Sequence, residues 1–243
     1  VSLTKFATDG RFTNPLTNSK GVKITYRSSN ARVANVDSNG LVSIQGAGET
    51  TITAKIADEK NYNAASAVYK LTVKAKPISS CKIALSSKSY TYTGKAIKPV
   101  PSIKQGKAAL KNGRDFKISY SANKNTGRAT IKIIGIGKYT GSKILYFYIV
   151  PRKVTVTRIK SSANAKLSIK YKKVTGASGY QIAFRKKGTG KWSYATVSNK
   201  TASKTLSKLS RKKEYEVKVR AYKKVGKTKY YGAYSKVKKG KVK

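Results

Sequence analysis

Apolar and polar residues alternate with a period of two through most of the chain, and this alternation predicts short β-strands. The stretch 214–224 reads EYEVKVRAYKK, and its apolar side chains from Tyr215 to Ala221 occupy every second position. Lys218 and Arg220 fall between them, so they point to the opposite side of the strand. The pattern predicts one packed face and one solvent face.

The same alternation recurs upstream, in the runs 116–120, 129–133 and 144–149, and each gap between these runs contains glycine or asparagine. Nearer the N-terminus, Ser38-Asn39-Gly40 separates two apolar runs. Asn-Gly between such runs is typical of a β-hairpin. Gly135, Gly137 and Gly141 precede no helical pattern, which favours a β-corner over a phosphate-binding loop.

Two prolines, Pro77 and Pro151, each follow an alternating run and have basic neighbours. Proline ends strand pairing, so we expect domain boundaries there. The boundaries give segments 1–75, 76–152 and 153–243, each of a size typical of a β-sandwich module. The sequence therefore predicts an all-β fold of three tandem sandwich domains.

The amino-acid composition excludes several common kinds of catalytic site. The chain has no histidine, 8 acidic residues and a single cysteine, Cys81, so a His-based triad or a Cys/His zinc site cannot form. We expect Cys81 to be a small buried residue and Asp37 to be part of the hairpin turn and not of a calcium loop. We predict no enzyme activity, no cofactor, no metal and no membrane-spanning segment. A Lys–Asn cross-link has no specific motif here and is not predicted.

The first two segments each contain a set of spaced sequence motifs. The run from Tyr26 to Ala54 resembles bacterial immunoglobulin-like repeats in its "V-A-x-V-D-x-x-G-x-V" and "G-x-G-x-x-x-I-T-A" motifs. Residues 76–152 resemble small β-repeats of clostridial surface proteins, with a "Y-T-G-K" opening and a "G-x-G-x-Y-x-G" corner. These resemblances imply sandwich domains on the surface of a Gram-positive bacterium.

The third segment resembles a fibronectin type III domain. Leu209 stands six residues before Tyr215, as in the "L-x-P-x-x-x-Y" tyrosine corner of that family, although Arg211 replaces the proline. Tyr171 takes the place of the usual core tryptophan in LSIKY. The resemblance implies that the Tyr215 hydroxyl ties a loop to the backbone. The sequence has no Arg-Gly-Asp motif, so the resemblance does not imply cell attachment through it.

Positive charge rises along the chain. Residues 1–75 include 10 basic and 5 acidic residues, residues 76–152 include 16 and 1, and residues 153–243 include 28 and 2. The net charges of the three segments are therefore +5, +15 and +26. A solvent face explains the lysines but not the missing acids, so a polyanion is the expected partner, with teichoic acid of the cell wall as the hypothesis. A lysine-rich bias without a ligand is the alternative. The candidate polyanion-binding residues are Lys212, Lys213, Lys218, Arg220, Lys223, Lys224, Lys236, Lys238 and Lys239.

These observations indicate a non-catalytic, secreted or cell-surface stalk or adhesion module. The alternative is a glycan-binding accessory module of a larger secreted enzyme, because exposed rings stack on sugars. Its candidate residues are Trp192, Tyr194, Tyr230, Tyr231 and Tyr234, for which edge packing is the competing interpretation. Nucleic acid is expected to bind only nonspecifically, since no base-reading element appears. The remaining expected partners are host or bacterial glycans and further copies of the chain at the surface.

Overall fold

The computed structural model describes residues 1–14, 22–57 and 63–243, which fold into strands joined by turns. Within these ranges there is one 3-10 turn, Ile78–Ser80, and no α-helix, and so no helix that could span a membrane. The chain forms two compact units. The first comprises Val1–Ala84, Pro101–Ser119 and Lys132–Ile144, and the second comprises Leu85–Val100, Tyr120–Ile131 and Leu145–Lys243. Residues 76–152 are divided between them, and the three-domain boundaries stay a prediction.

The N-terminal part consists of two sheets that enclose an apolar core. Its strands are β1 (Ser2–Phe6), β2 (Arg11–Thr13), β3 (Ile24–Ser28), β4 (Ala34–Val36), β5 (Leu41–Ile44), β6 (Gly48–Ile56) and β7 (Ala65–Lys74). One sheet has the order β1–β7–β6–β3 and the other β2–β5–β4. Val42, Ile44, Leu71 and Val73 are buried in a common cluster, because every second residue of these strands points inward.

The predicted hairpin at Asn39-Gly40 is confirmed. Val36 pairs with Val42 across the turn, and Gly40 adopts a φ of 77°, which only glycine adopts without strain. The Asp37 Oδ1 atom accepts hydrogen bonds from the backbone N–H groups of Asn39 and Leu41, both at 2.9 Å. The Asp37 carboxylate therefore caps the turn, as the sequence predicts.

The middle of the chain contains shorter strands. They are β8 (Lys76–Pro77), β9 (Lys82–Ala84), β10 (Ser89–Thr91), β11 (Ser102–Gln105), β12 (Ala108–Ala109), β13 (Phe116–Ser121), β14 (Gly127–Gly135), β15 (Tyr139–Thr140) and β16 (Ser142–Val150). A four-stranded sheet has the order β10–β16–β14–β13, a second sheet has the order β12–β11–β9, and β15 pairs with β8. The three alternating runs of the sequence are thus strands β13, β14 and β16.

The glycine-rich stretch after β14 is a β-corner, as predicted. The Gly135 N–H donates to the carbonyl of Gly141 at 2.9 Å, and a Cβ at Gly135 would lie 2.7 Å from the backbone nitrogen of Thr140. Close backbone approach therefore requires glycine here. Nearby, Cys81 is buried, its Sγ lies 3.5 Å from the Gln105 Oε1, and burial raises the pKa of its thiol. Cys81 is a buried neutral side chain, as predicted.

The C-terminal part is a sandwich of two sheets. Its strands are β17 (Val156–Ala163), β18 (Lys166–Tyr171), β19 (Gly179–Lys186), β20 (Ser193–Ser198), β21 (Ser203–Leu206), β22 (Glu214–Val225), β23 (Thr228–Tyr231) and β24 (Lys238–Lys241). One sheet has the order β17–β18–β21, and the other has the order β20–β19–β22–β23 with β24 also on β22. Leu167, Ile169, Ile182, Val217 and Val219 are fully buried between them.

The tyrosine corner is present. The Ser210 N–H donates to the Tyr215 hydroxyl at 3.0 Å, and Leu209 and Tyr215 are both buried. Tyr171 is also buried, with its ring 4.6 Å from that of Tyr180. Tyr171 therefore takes part in aromatic packing in the core, and the corner forms although Arg211 stands in place of proline.

Within the second unit, the end of the middle segment packs on the C-terminal sandwich. The Tyr148 and Tyr230 rings stack with centroids 3.9 Å apart. The Thr126 hydroxyl donates to the carbonyl of Gly176 at 2.8 Å. These contacts join residues on both sides of Pro151 within one compact unit. Such contacts restrict bending of the chain at Pro151.

Candidate functional site

The outward face of β22 carries the charged residues that the sequence places opposite the core. Lys218 lies across from Ala183 and Arg220 across from Gln181 on the neighbouring strand β19. Both basic side chains point away from the core, as predicted, yet both are only half-exposed. Aromatic side chains account for this burial.

Three rings alternate with these two cations. The Lys218 Nζ lies 4.1 Å from the ring centroid of Trp192 and 4.6 Å from that of Tyr234. The Arg220 guanidinium lies 4.4 Å from the Tyr234 centroid and 3.8 Å from the Tyr231 centroid. We call this series, Trp192–Lys218–Tyr234–Arg220–Tyr231, the aromatic ladder. Cations at these distances are attracted by the negative faces of the rings.

Hydrogen bonds and an ion pair hold the side chains of the aromatic ladder in place. The Gln181 Oε1 accepts from the Arg220 Nε at 2.8 Å and from the Tyr234 hydroxyl at 2.9 Å. Burial raises the pKa of Tyr234, so its hydroxyl keeps the proton that it donates. At the other end, Arg185 lies 4.5 Å from the Trp192 ring centroid and pairs with Glu216 at 2.8 Å. Arg185 and Gln181 were not among the residues that the sequence singles out. They lie an even number of positions apart in the strand 179–186, and this spacing places both on the same face.

The structure brings three of the five candidate glycan-binding rings together in the aromatic ladder. Tyr194 lies on the edge strand β20 with 59% of its surface exposed. Tyr230 lies apart from the aromatic ladder, stacked on Tyr148. The rings of the aromatic ladder already face cations, so Tyr194 offers the most open ring of the set.

The other candidate cations are spread over the surface of the sandwich. Lys212, Lys213, Lys224, Lys236, Lys238 and Lys239 are exposed, and Lys223 is half-buried. None of these seven forms an ion pair within the described residues. Lys236 and Lys238 line a shallow depression of about 320 Å³ together with Lys153 and Ser235.

Both acids of residues 153–243 lie on β22 and are paired. Glu216 binds Arg185, and the Glu214 Oε2 lies 2.7 Å from the Lys187 Nζ. The hydrogen bond from Lys187 holds the pKa of Glu214 below its usual value. The acids of this part of the chain are therefore already neutralised by two of its 28 basic residues.

Comparisons with known protein families give two matches. Residues 16–58 match the model of the intimin immunoglobulin-like domain, and residues 150–237 match that of the fibronectin type III domain. The matches are consistent with tandem Ig-like repeats followed by a fibronectin type III-like domain. Such domains are typical of non-catalytic extracellular adhesion or stalk modules. No curated protein matches the chain.

The chain is also similar to parts of several solved structures. The crystal structure of the FN1–FN3 domains of chicken CNTN1 has 13% identity and a TM-score of 0.35, with 90% of each chain covered. An fn3 domain of human contactin 1 has 18% identity and a TM-score of 0.31, with 39% of this chain and 78% of that chain covered. A myokine structure has 24% identity and a TM-score of 0.29, with 37% and 93% covered.

Proposed function

We propose that the chain is a stalk or adhesion module at the surface of a Gram-positive bacterium, and that its C-terminal domain associates with the anionic polymer of the cell wall, of the teichoic acid class. The single observation that carries this proposal is the charge imbalance of residues 153–243, where 28 basic residues face 2 acidic ones. Ion pairs occupy both acids, so the remaining cations have no counter-charge in this part of the chain.

Electrostatics explains why such a surface favours a polyanion. Like charges at this density repel one another and oppose the compact state. A polymer that carries many phosphates relieves this repulsion at several cations at once, whereas small ions are held one at a time. Because the cations concerned are exposed, the attraction should weaken strongly with salt, as the screening length falls from about 10 Å at 0.1 M to about 3 Å at 1 M.

The stalk role is supported by the architecture. Strands dominate the described residues, and the contacts of Tyr148 with Tyr230 and of Thr126 with Gly176 make one compact unit of the end of the middle segment and the C-terminal sandwich. A basic end that is built into a compact unit can hold the module against the wall.

The test is sedimentation of the full chain with purified Gram-positive walls, before and after chemical removal of teichoic acid, over a series from 0.1 M to 1 M salt. We expect retention by intact walls at 0.1 M, loss of most retention after removal of teichoic acid, and release at high salt. Equal retention by both wall preparations would overturn the wall-polymer proposal.

The glycan-binding alternative now depends on Tyr194, because it is the most exposed ring of the candidate set. Under this alternative, Tyr194→Ala abolishes retention on wall or host glycans, while Tyr230→Ala, which removes a packed ring, keeps it. Glycan arrays probed with the two variants distinguish these outcomes, and unchanged binding by Tyr194→Ala would reject the alternative.

A further inference from the structure

A second basic surface lies on the other sheet of the C-terminal sandwich, away from the residues that the sequence singles out. It is an open groove of about 260 Å³ on the outward side of β17 and β18. We call it the phosphate groove, and its lining residues are Arg158, Lys160, Ser161, Ser162, Ser168, Lys170 and Lys243.

Strand alternation directs these side chains outward. Ile159 packs against the core from β17, so Arg158 and Lys160 on either side of it point to solvent. On β18, Lys170 is directly opposite Arg158, and Ser168 is opposite Lys160. Opposed side chains are about 5 Å apart at Cβ, and second neighbours along a strand are about 7 Å apart. The three cations therefore form a closely spaced cluster across the two strands.

Among the described residues, no acid pairs with these three cations. None of the ion pairs in the described residues involves Arg158, Lys160 or Lys170, and no ring lies over any of them. The two acids of residues 153–243 belong to β22, in the other sheet. The groove thus differs from the aromatic ladder, where rings or a carboxylate already contact the cations.

The hydroxyl groups and the absence of rings indicate the chemistry of the ligand. The Ser162 and Ser168 hydroxyls have no hydrogen-bond partner within the described residues, so they can donate to phosphate oxygens, which accept several bonds. The Ser161 hydroxyl is already occupied, since it donates to the carbonyl of Lys166 at 3.0 Å and accepts from the Lys243 N–H. The lining holds no aromatic side chain on which the bases of a single-stranded nucleic acid could stack.

We propose that the phosphate groove is the docking site for a phosphodiester-linked polyol polymer of the teichoic acid class, with Arg158, Lys160 and Lys170 on successive phosphates and Ser162 and Ser168 as hydroxyl donors. This inference rests on the proposed association with wall polymer and names its site. Polyol units have no bases to stack, so the cluster of cations and hydroxyls is sufficient for their recognition.

The test compares three forms of the 243-residue chain, which are wild type, a groove variant and a control, and which differ only in surface charge. The groove variant carries Arg158→Gln, Lys160→Gln and Lys170→Gln. The control carries Lys186→Gln, Lys200→Gln and Lys227→Gln, which removes the same charge from exposed positions of the same domain. Binding to purified poly(glycerol phosphate) is measured by calorimetry at 0.1 M salt, with a mixed-sequence single-stranded oligonucleotide as the second ligand.

We expect the groove variant to bind poly(glycerol phosphate) about a hundredfold more weakly than wild type, because each of the three cations contributes roughly fivefold in affinity near an anionic surface. The control should lose less than about fivefold, and oligonucleotide binding should fall equally in the two variants. Equal losses of polymer binding in the two variants, or a specific loss of oligonucleotide binding in the groove variant, would overturn the groove assignment. Failure of wild type to bind the polymer would instead overturn the proposed function. Unchanged melting curves show that both variants are folded.

Discussion

The two outward faces of the C-terminal sandwich carry the same sign of charge but hold it in different ways. On β22, Lys218 and Arg220 lie between aromatic rings and are half-buried. On β17 and β18, Arg158 and Lys170 oppose each other in solvent with no ring and no acid. The cations of the first face contact aromatic rings, and those of the second face are open to solvent.

This difference shows that a count of lysines and arginines does not locate a binding surface. A cation between two rings has exchanged part of its water for the ring faces, and a ligand must displace those contacts before it binds. A solvated cation next to another one gains from any anion that approaches. We therefore expect the contacts of each charge, and not its presence, to decide which face binds.

The largest expected difference between the faces is in stability. Arg220→Ala removes contacts with two rings and a hydrogen bond to Gln181, so we expect it to lower the free energy of unfolding by about 2 kcal/mol. Arg158→Ala removes only an exposed charge and should change it by less than about 0.5 kcal/mol. Urea unfolding followed by the fluorescence of Trp192, the only tryptophan, measures both.

Arg220→Lys is the control for this comparison. It keeps the charge but loses the planar guanidinium, so its stability should fall between those of wild type and Arg220→Ala. Equal destabilisation by Arg220→Ala and Arg158→Ala would contradict a structural role for the aromatic ladder.

A smaller effect concerns the accessibility of Trp192. Lys218 and Arg185 both contact its ring, so Lys218→Ala should increase quenching of Trp192 fluorescence by acrylamide. Arg158→Gln should leave quenching unchanged, because Arg158 lies in the other sheet. Acrylamide is neutral, so the change in net charge does not affect its local concentration. Quenching that is equal in Lys218→Ala and wild type would show that the Lys218 contact with Trp192 does not form in solution.

The smallest effect is that of pH on the β22 face. Lys187 lowers the pKa of Glu214, so the pair stabilises the fold above the ordinary carboxylate pKa, and this stabilisation disappears as pH falls through the lower pKa of the folded state. Glu214→Gln should therefore melt slightly below wild type at pH 7 and together with it at about pH 2, well below the ordinary pKa of a glutamate. A difference in melting temperature between Glu214→Gln and wild type that persists at about pH 2 would contradict the assignment of this stabilisation to the Glu214–Lys187 pair.

The strand pattern of the fold was predictable because it depends on local sequence. The Asn39-Gly40 turn, the alternation of Tyr215 to Ala221 and the Leu209–Tyr215 spacing each lie within a few residues, and each is present in the structure. The family matches over residues 16–58 and 150–237 likewise agree with the resemblances of the first and third segments.

The partners of the cations were not predictable, because they come from distant parts of the chain. Strand pairing and the segment after β23 bring Trp192, Lys218 and Tyr234 together, although they are separated by many residues. The phosphate groove likewise combines β17 and β18 with Lys243. Alternation shows that such a side chain points outward, but it does not show what covers it.

The most direct measurement is a titration of the isotope-labelled full chain with short poly(glycerol phosphate) oligomers, followed by backbone amide shifts in NMR spectra. We expect the largest shifts at Arg158, Lys160, Ser168 and Lys170, with little change at Lys218 and Arg220. Shifts centred on Lys218, Arg220 and Tyr234 would contradict the assignment of polymer binding to the phosphate groove and of structure to the aromatic ladder.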